Sequence, residues 1–327
     1  MFMKQKLMLF SLMFVLLLSA CRKDMLTEPV NVAEDAAGKP GAEARFGQCR
    51  LTSAIRDNAY GEFLQYNNRG LVSEWKEDYF DGFPYVVTYT YDLLGRLKTG
   101  HVEDTYSGIS SDVKYQYSGS RLIKHTIYET GTNTVKNIIV NTYNNRGQII
   151  RRGSTMFPVY CTFSYDWLGN NNLVNYYVDG ALYMKEEFTH RQFNRNPFLA
   201  AHGIPYVTYA YDFVFSNWWE TSEKFTLYDN GVANVFVDLD PQTAVLTLGP
   251  QQYLTSVTNF DRAIQENTSA YFNYENCDCV PAKIANGNKV PVNSIAAKYL
   301  ALAKFKRAFE AGDVSKIKAQ MKAIIQK

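Results

Sequence analysis

Glycine follows tyrosine by four residues six times in this 327-residue chain, after Tyr66, Tyr91, Tyr115, Tyr143, Tyr165 and Tyr176. Random placement of its 24 tyrosines and 20 glycines would give about 1.5 such pairs (24 × 20/327). The fuller frames are Tyr66-Asn67-Asn68-Arg69-Gly70-Leu71, Tyr91-Asp92-Leu93-Leu94-Gly95-Arg96-Leu97, Tyr143-Asn144-Asn145-Arg146-Gly147-Gln148-Ile149 and Tyr165-Asp166-Trp167-Leu168-Gly169. A shortened version is Tyr117-Ser118-Gly119-Ser120-Arg121-Leu122. The lead tyrosines Tyr66, Tyr91, Tyr117, Tyr143 and Tyr165 step by 25, 26, 26 and 22 residues. Such a period means one supersecondary unit used repeatedly.

The unit reads as a β-hairpin. Tyr85-Val86-Val87-Thr88-Tyr89-Thr90-Tyr91 alternates with period two, so Tyr85, Val87, Tyr89 and Tyr91 share one face and Val86, Thr88 and Thr90 the other. Asp92 or Asn144 can bond its own backbone to start a turn, and the glycine supplies the positive φ that closes it. Tyr228-Asp229-Asn230-Gly231 adds an Asn-Gly turn, and Pro205 opens a strand over Tyr206-Val207-Thr208-Tyr209-Ala210-Tyr211. Aromatic residues make up 15% of the chain and suit half-buried pleated surfaces. The expected fold is mainly β: an open, curved antiparallel meander or half-barrel, with roughly twelve strands between Cys49 and Cys277.

Tyr-Asp-x-x-Gly-Arg-Leu, intact over residues 91–97, resembles the YD repeat of RHS proteins, whose strands wind into large shells. The wider pattern includes Asn196-Pro197-Phe198 midway and a tyrosine-rich terminal strand over residues 271–277. It is similar to an uncharacterised family of Bacteroidota lipoproteins. The resemblance covers roughly residues 49–277 and implies an open sheet without a closed shell, because the repeats are few. No activity follows from it.

The first twenty residues are read apart from the fold. Lys4 and Lys6 precede an uncharged run over residues 7–18, which is signal-peptide length rather than spanning length. The run ends in Leu18-Ser19-Ala20-Cys21, which resembles the lipobox of bacterial lipoproteins. Cys21 is therefore expected to begin the mature chain and to carry acyl chains such as palmitate, enough for stable membrane attachment. By the same resemblance Arg22, standing where inner-membrane retention would want Asp, implies the outer membrane. Residues 21–48 carry Pro29, Gly38, Pro40 and Gly41 and few large apolar residues, so they are expected to form a flexible tether.

Charge is unevenly spread. Without the two signal lysines the chain has 32 basic and 32 acidic residues; residues 283–327 hold ten basic and two acidic, leaving 22 against 30 in the rest. The basic tail follows a linker within residues 280–292. Asn293-Ser294 can cap a helix with Ile295, Tyr299, Leu302, Phe305 and Phe309 as its apolar stripe. Gly312 stops it, and Asp313 can cap a second helix bearing Val314, Ile317, Met321 and Ile324. This helical hairpin is expected to dock on the sheet against its acidic charge, or else to touch anionic lipid, polysaccharide or a partner protein.

Four regions result: a lipoprotein signal peptide at 1–20, a tether at 21–48, a β-meander body at 49–279, and a linker with the basic helical hairpin at 280–327. The sequence holds no Gly-x-Ser-x-Gly, no phosphate-binding glycine loop, no His-Glu-x-x-His and no dinucleotide-binding glycine pattern. His101, His125, His190 and His202 have no metal spacing and are expected to be surface or strand histidines. Asp238, Asp240, Glu77, Asp78 and Asp81 read as solvated turn carboxylates rather than a calcium loop. No cofactor is implied. Of the cysteines left after lipidation, Cys161 shares strand parity with Val159 and Phe163 and points to the core as a free thiol or a bridge. Cys277 and Cys279 alone are too few for zinc. Cys49 paired with Cys277 is one of three possible connectivities and would tie the first strand to the last.

These features favour an anchored cell-envelope binding or assembly module with no reaction identifiable. Exposed aromatics, with Trp218 and Trp219 as candidates, would stack on glycan or grip peptide or an envelope protein. Strand parity puts Trp218 and Trp219 on opposite faces. The alternative is an envelope hydrolase whose site is assembled from scattered residues. Nucleic acid is disfavoured as a partner by the acidic body.

Overall fold

A computed structural model describes residues 49–57, 60–79, 82–105, 107–200, 218–249, 253–276 and 294–325. Cys21, the tether, the strand expected over 206–212, and Cys277 and Cys279 lie outside the described residues. The first hairpins are β1 (Arg50–Arg56) and β2 (Tyr60–Tyr66), β3 (Val72–Asp78) and β4 (Tyr85–Tyr91), β5 (Leu97–Asp104) and β6 (Ile109–Ser118). Then come β7 (Arg121–Glu129), β8 (Val135–Tyr143), β9 (Ile149–Ser154), β10 (Val159–Tyr165), β11 (Asn171–Val178) and β12 (Ala181–Arg195). A short 3-10 helix (Pro197–Ala200) precedes β13 (Trp218–Asp229), β14 (Val232–Asp238), β15 (Val245–Leu248), β16 (Leu254–Asp261) and β17 (Glu266–Glu275). Two helices, α1 (Ser294–Ala311) and α2 (Val314–Ile325), close the described chain.

All 17 strands belong to one antiparallel sheet. From β1 to β14 each strand pairs with the next, and β15, β16 and β17 form a second run joined to the first because β17 pairs with β1. Between β14 and β16 there is only an isolated bridge, Leu239 to Asp261, so the sheet stays open there. The count exceeds the expected twelve because strands without the full tyrosine motif continue the meander to Glu275.

The motif turns share one mechanism. Asn67 Oδ1 accepts from the backbone N–H of Arg69 and Leu71, Asp92 Oδ1 from Leu94 and Arg96, and Asn144 Oδ1 from Arg146 and Gln148. Gly70, Gly95, Gly147 and Gly169 then sit at φ 73°, 78°, 78° and 87°, where a side chain would be strained. The tyrosine performs a separate task. Its hydroxyl donates to a carbonyl at the start of the preceding strand: Tyr66 to Leu51, Tyr91 to Val72, Tyr143 to Leu122 and Tyr165 to Ile149, at 2.5–2.8 Å. Tyr274 in β17, outside the glycine frames, does the same to Leu254 at 2.7 Å. Each phenol thus ties the end of one strand to the start of the strand before it, across 15–21 residues.

The tyrosine face is the inner face. Val87, Tyr89, Leu97, Trp75, Leu51, Phe272 and the 3-10 residue Phe198 form one core cluster. Ile149, Cys161, Phe163, Val174, Tyr176, Met184, Phe225 and Leu227 form another, and α1 and α2 complete it with Leu302, Phe305, Phe309, Ile317, Met321 and Ile324. The helical hairpin is docked on the sheet. Gly312 (φ 72°) separates its helices, and Asp313 Oδ1 caps α2 by accepting from Lys316 N–H. Cys161 is buried and takes part in no disulfide. Cys49 is disulfide-bonded to a partner outside the described residues.

Candidate functional site

Alternation places several charged residues on the inner face, where strands normally present apolar ones. Glu62 shares parity with Leu64 on β2, Glu186 with Met184 and Phe188 on β12, Glu223 with Phe225 and Leu227 on β13, and all are buried. Glu77 on β3 is buried too, which corrects its reading as a solvated turn carboxylate: the inner face of β3 turns it to α1. From the helix side Lys306 Nζ reaches Glu186 Oε1 at 2.7 Å, and Arg307 reaches Glu77 Oε2 at 2.7 Å. The Arg307 guanidinium lies 4.1 Å from the ring centre of Tyr85. On β1, Arg56 pairs with Glu223 at 3.2 Å. Three cations therefore meet three carboxylates, and Glu62 is the fourth carboxyl of the group.

Glu62 Oε1 accepts from the Tyr60 hydroxyl, while its Oε2 is buried and meets no hydrogen-bond partner. Burial, reinforced by the charge of Glu77 and opposed by the Tyr60 bond and by Arg56 and Lys306, pushes its pKa well above the carboxylate range. Burial therefore favours the protonated form of Glu62. It lines a pocket of about 640 Å³, counting the part open to solvent, between β1, β2, β13, β17 and α1. The floor is Phe198, Phe225, Phe272, Leu302, Ala54 and Ala270, and Arg56, Tyr60, Glu223 and Lys306 stand around it.

A second buried group lies along the same helix. His125 Nε2 is 3.6 Å from Glu310 Oε1, beyond hydrogen-bond reach, and Asn137 Nδ2 donates to the Glu310 carbonyl at 2.6 Å. Burial pushes Glu310 up to about 8 against the opposing charge of Arg152, and burial with the Arg152 charge pushes His125 down to about 3. Both are uncharged near neutrality. His101, by contrast, is a half-exposed strand residue bonded to Asp112 at 2.8 Å, which raises its pKa.

The remaining candidates are dispersed. Trp218 and Trp219 begin β13, with the backbone of Trp218 opposite Arg195, and their side chains are outside the described residues. Asp238 is held by Arg262 at 2.7 Å, and Asp78 by Lys76 at 2.8 Å. Among the described residues no group of His, Cys, Asp or Glu is arranged to hold a metal ion. No described helix is long and apolar enough to cross a membrane. One sheet rim carries the turns that follow Tyr66, Tyr91, Tyr117, Tyr143 and Tyr165, and on it Leu93 and Trp167 are 95% and 80% exposed, with Leu94 beside them. β1 starts and β17 ends at this rim, since Arg50 pairs with Glu275 and the β2–β3 turn lies alongside.

No protein-family model matches the chain, and no curated protein does. Among solved structures it is similar to a porin-like protein from Bacteroides uniformis, at TM-score 0.42 and 12% identity, over 70% of this chain and 96% of that one. A porin-like protein from Bacteroides vulgatus aligns at TM-score 0.35 and 10% identity, over 69% and 99% of the two chains. The Tc holotoxin pore of Photorhabdus luminescens aligns at TM-score 0.20 and 9% identity, over 62% of this chain and 15% of that one.

Proposed function

We propose that this chain is an outer-membrane lipoprotein, anchored by acyl chains on Cys21, that works as a binding or assembly module and grips an envelope protein or peptide with its motif-turn rim. The observation that carries the reading is the exposure of the side chains of Leu93, Leu94 and Trp167 on turns whose hydrogen bonds do not use those side chains. Exposed apolar side chains on rigid tips are what a partner surface would cover. Cys49, the first described residue, stands at the same rim, beside the start of β1. The Cys49–Cys277 bridge belongs to this proposal: Cys49 is disulfide-bonded, and the described end of β17 at Glu275 pairs with Arg50 next to it. A hydrolytic role finds less support, because the inner-face carboxyls Glu77, Glu186 and Glu223 are each taken up by a cation.

The test has two parts. Palmitate labelling should mark the chain and be lost in Cys21→Ser. On peptide, protein and glycan arrays, binding to peptide or protein should be lost in Leu93→Ser combined with Trp167→Ser, with thermal stability unchanged. Glycan-only binding, or turnover of a library substrate, would overturn the assembly reading.

A further inference from the structure

We propose that the inner pocket beside Glu62 is a binding site for a neutral, mainly apolar small molecule that carries one hydrogen-bond-accepting oxygen. The site is separate from the motif-turn rim, so neither reading depends on the other. Three observations carry it. First, the pocket floor is apolar and ring-rich, with Phe198, Phe225, Phe272 and Leu302, which suits a hydrocarbon or aromatic body. Secondly, Glu62 is 4% exposed, lines that pocket, and has one oxygen engaged by Tyr60 and the other unpartnered. A buried polar atom without a partner is costly, and a ligand oxygen placed against Oε2 would remove that cost.

The third observation is charge. The cations at the pocket, Arg56 and Lys306, are matched by Glu223 and Glu186. Burial favours the protonated form of Glu62, and in that form the surroundings offer no net charge for an ionic ligand to neutralise, so a charged ligand would be desolvated without return. A neutral carboxyl acts as a donor, so the ligand must accept: a ketone, ester, amide or ether oxygen fits, and a bare hydrocarbon leaves Oε2 as it is. The chain does nothing covalent here.

The experiment is a fluorine NMR titration of the full chain in lipid nanodiscs, with empty nanodiscs as the blank. The probes are 4-fluoroacetophenone, 4-fluoroethylbenzene and 4-fluorobenzylamine, which share a ring and differ in offering an acceptor, nothing or a cation. Ala303→Trp, which fills the pocket from α1, defines the binding that belongs to this site. The ketone should bind there about tenfold more tightly than the hydrocarbon. Glu62→Gln keeps a donor at the Oε2 position and should keep the preference; Glu62→Leu should abolish it, and circular dichroism on both variants reports that the fold is intact. Binding that Ala303→Trp leaves untouched would overturn the proposal. So would an unchanged ketone preference in Glu62→Leu, or tightest binding of the amine.

Discussion

In the hairpin of β4 and β5, Asp92 bonds the backbone of Leu94 and Arg96 and the side chain of Arg96, all within four residues. Under the helices the partners are remote: Arg307 and Glu77 are 230 residues apart, and Asn137 and Glu310 are 173 apart. The first region closes its polar contacts within one turn or with the neighbouring one, so a fault there stays close to its hairpin. The second holds buried charges that no neighbour in sequence can satisfy, so it exists only if sheet and helices form together. The difference teaches where the molecule is robust and where it is brittle.

The sharpest way to break the comparison is to remove the helices. Truncation before Ser294 strips the core of Leu302, Phe305, Phe309, Ile317 and Met321 and takes the ion-pair partners from Glu77 and Glu186. The loss should exceed about 5 kcal/mol and leave little folded body, as chemical denaturation would show. A hairpin ladder that unfolded at the wild-type midpoint would mean that the sheet stands alone.

Next in size is Lys306→Met, which leaves Glu186 without its cation at a fully buried position. It should cost about 3–5 kcal/mol, and Lys306→Met with Glu186→Gln should recover much of that in a double-mutant cycle. An additive cycle would show that the pair is not coupled.

pH sharpens the picture through Glu310 and His125. Glu310 has a folded pKa of about 8, above the unfolded value of 4.5, so the native state holds its proton longer and stability falls as pH rises from 4.5 to 8. His125 is lowered from 6.5 to about 3, so its contribution is present above 6.5 and lost as pH falls towards 3. The two slopes oppose each other between 4.5 and 6.5, giving a plateau there. Above it the decline by pH 8 should be on the order of 2 kcal/mol. Denaturant midpoints across this range check it, and Glu310→Gln should flatten the alkaline side.

The smallest effects belong to the motif. Tyr91→Phe removes one hydrogen bond to Val72 and should cost about 1 kcal/mol; Gly95→Ala meets the positive φ and should cost about 1 kcal/mol as well. Hydrogen exchange should show the damage confined to β3, β4 and β5. Loosening that reached α1 would contradict the local character of the hairpins.

Much of this was legible in the residues. The Tyr-to-Gly spacing marks the turns, period-two alternation places Val87 and Tyr89 inside, and the stripe of Leu302, Phe305 and Phe309 marks a docking helix. The strand number was underestimated because β12 to β17 lack the full motif. The candidate pocket was missed, although a signal existed: Glu62, Glu186 and Glu223 occupy core parity beside Leu64, Met184 and Phe225. That parity says such a carboxyl is buried without saying what faces it.

The sequence by itself determined the turns, the strand faces and the helix pair, because those depend on contacts between residues near one another along the chain. Only the tertiary structure decided that Lys306 and Arg307 answer Glu186 and Glu77 and that Glu62 is left with an oxygen to spare. Charge pairing across 230 residues depends on distance in space, which spacing along a chain does not encode.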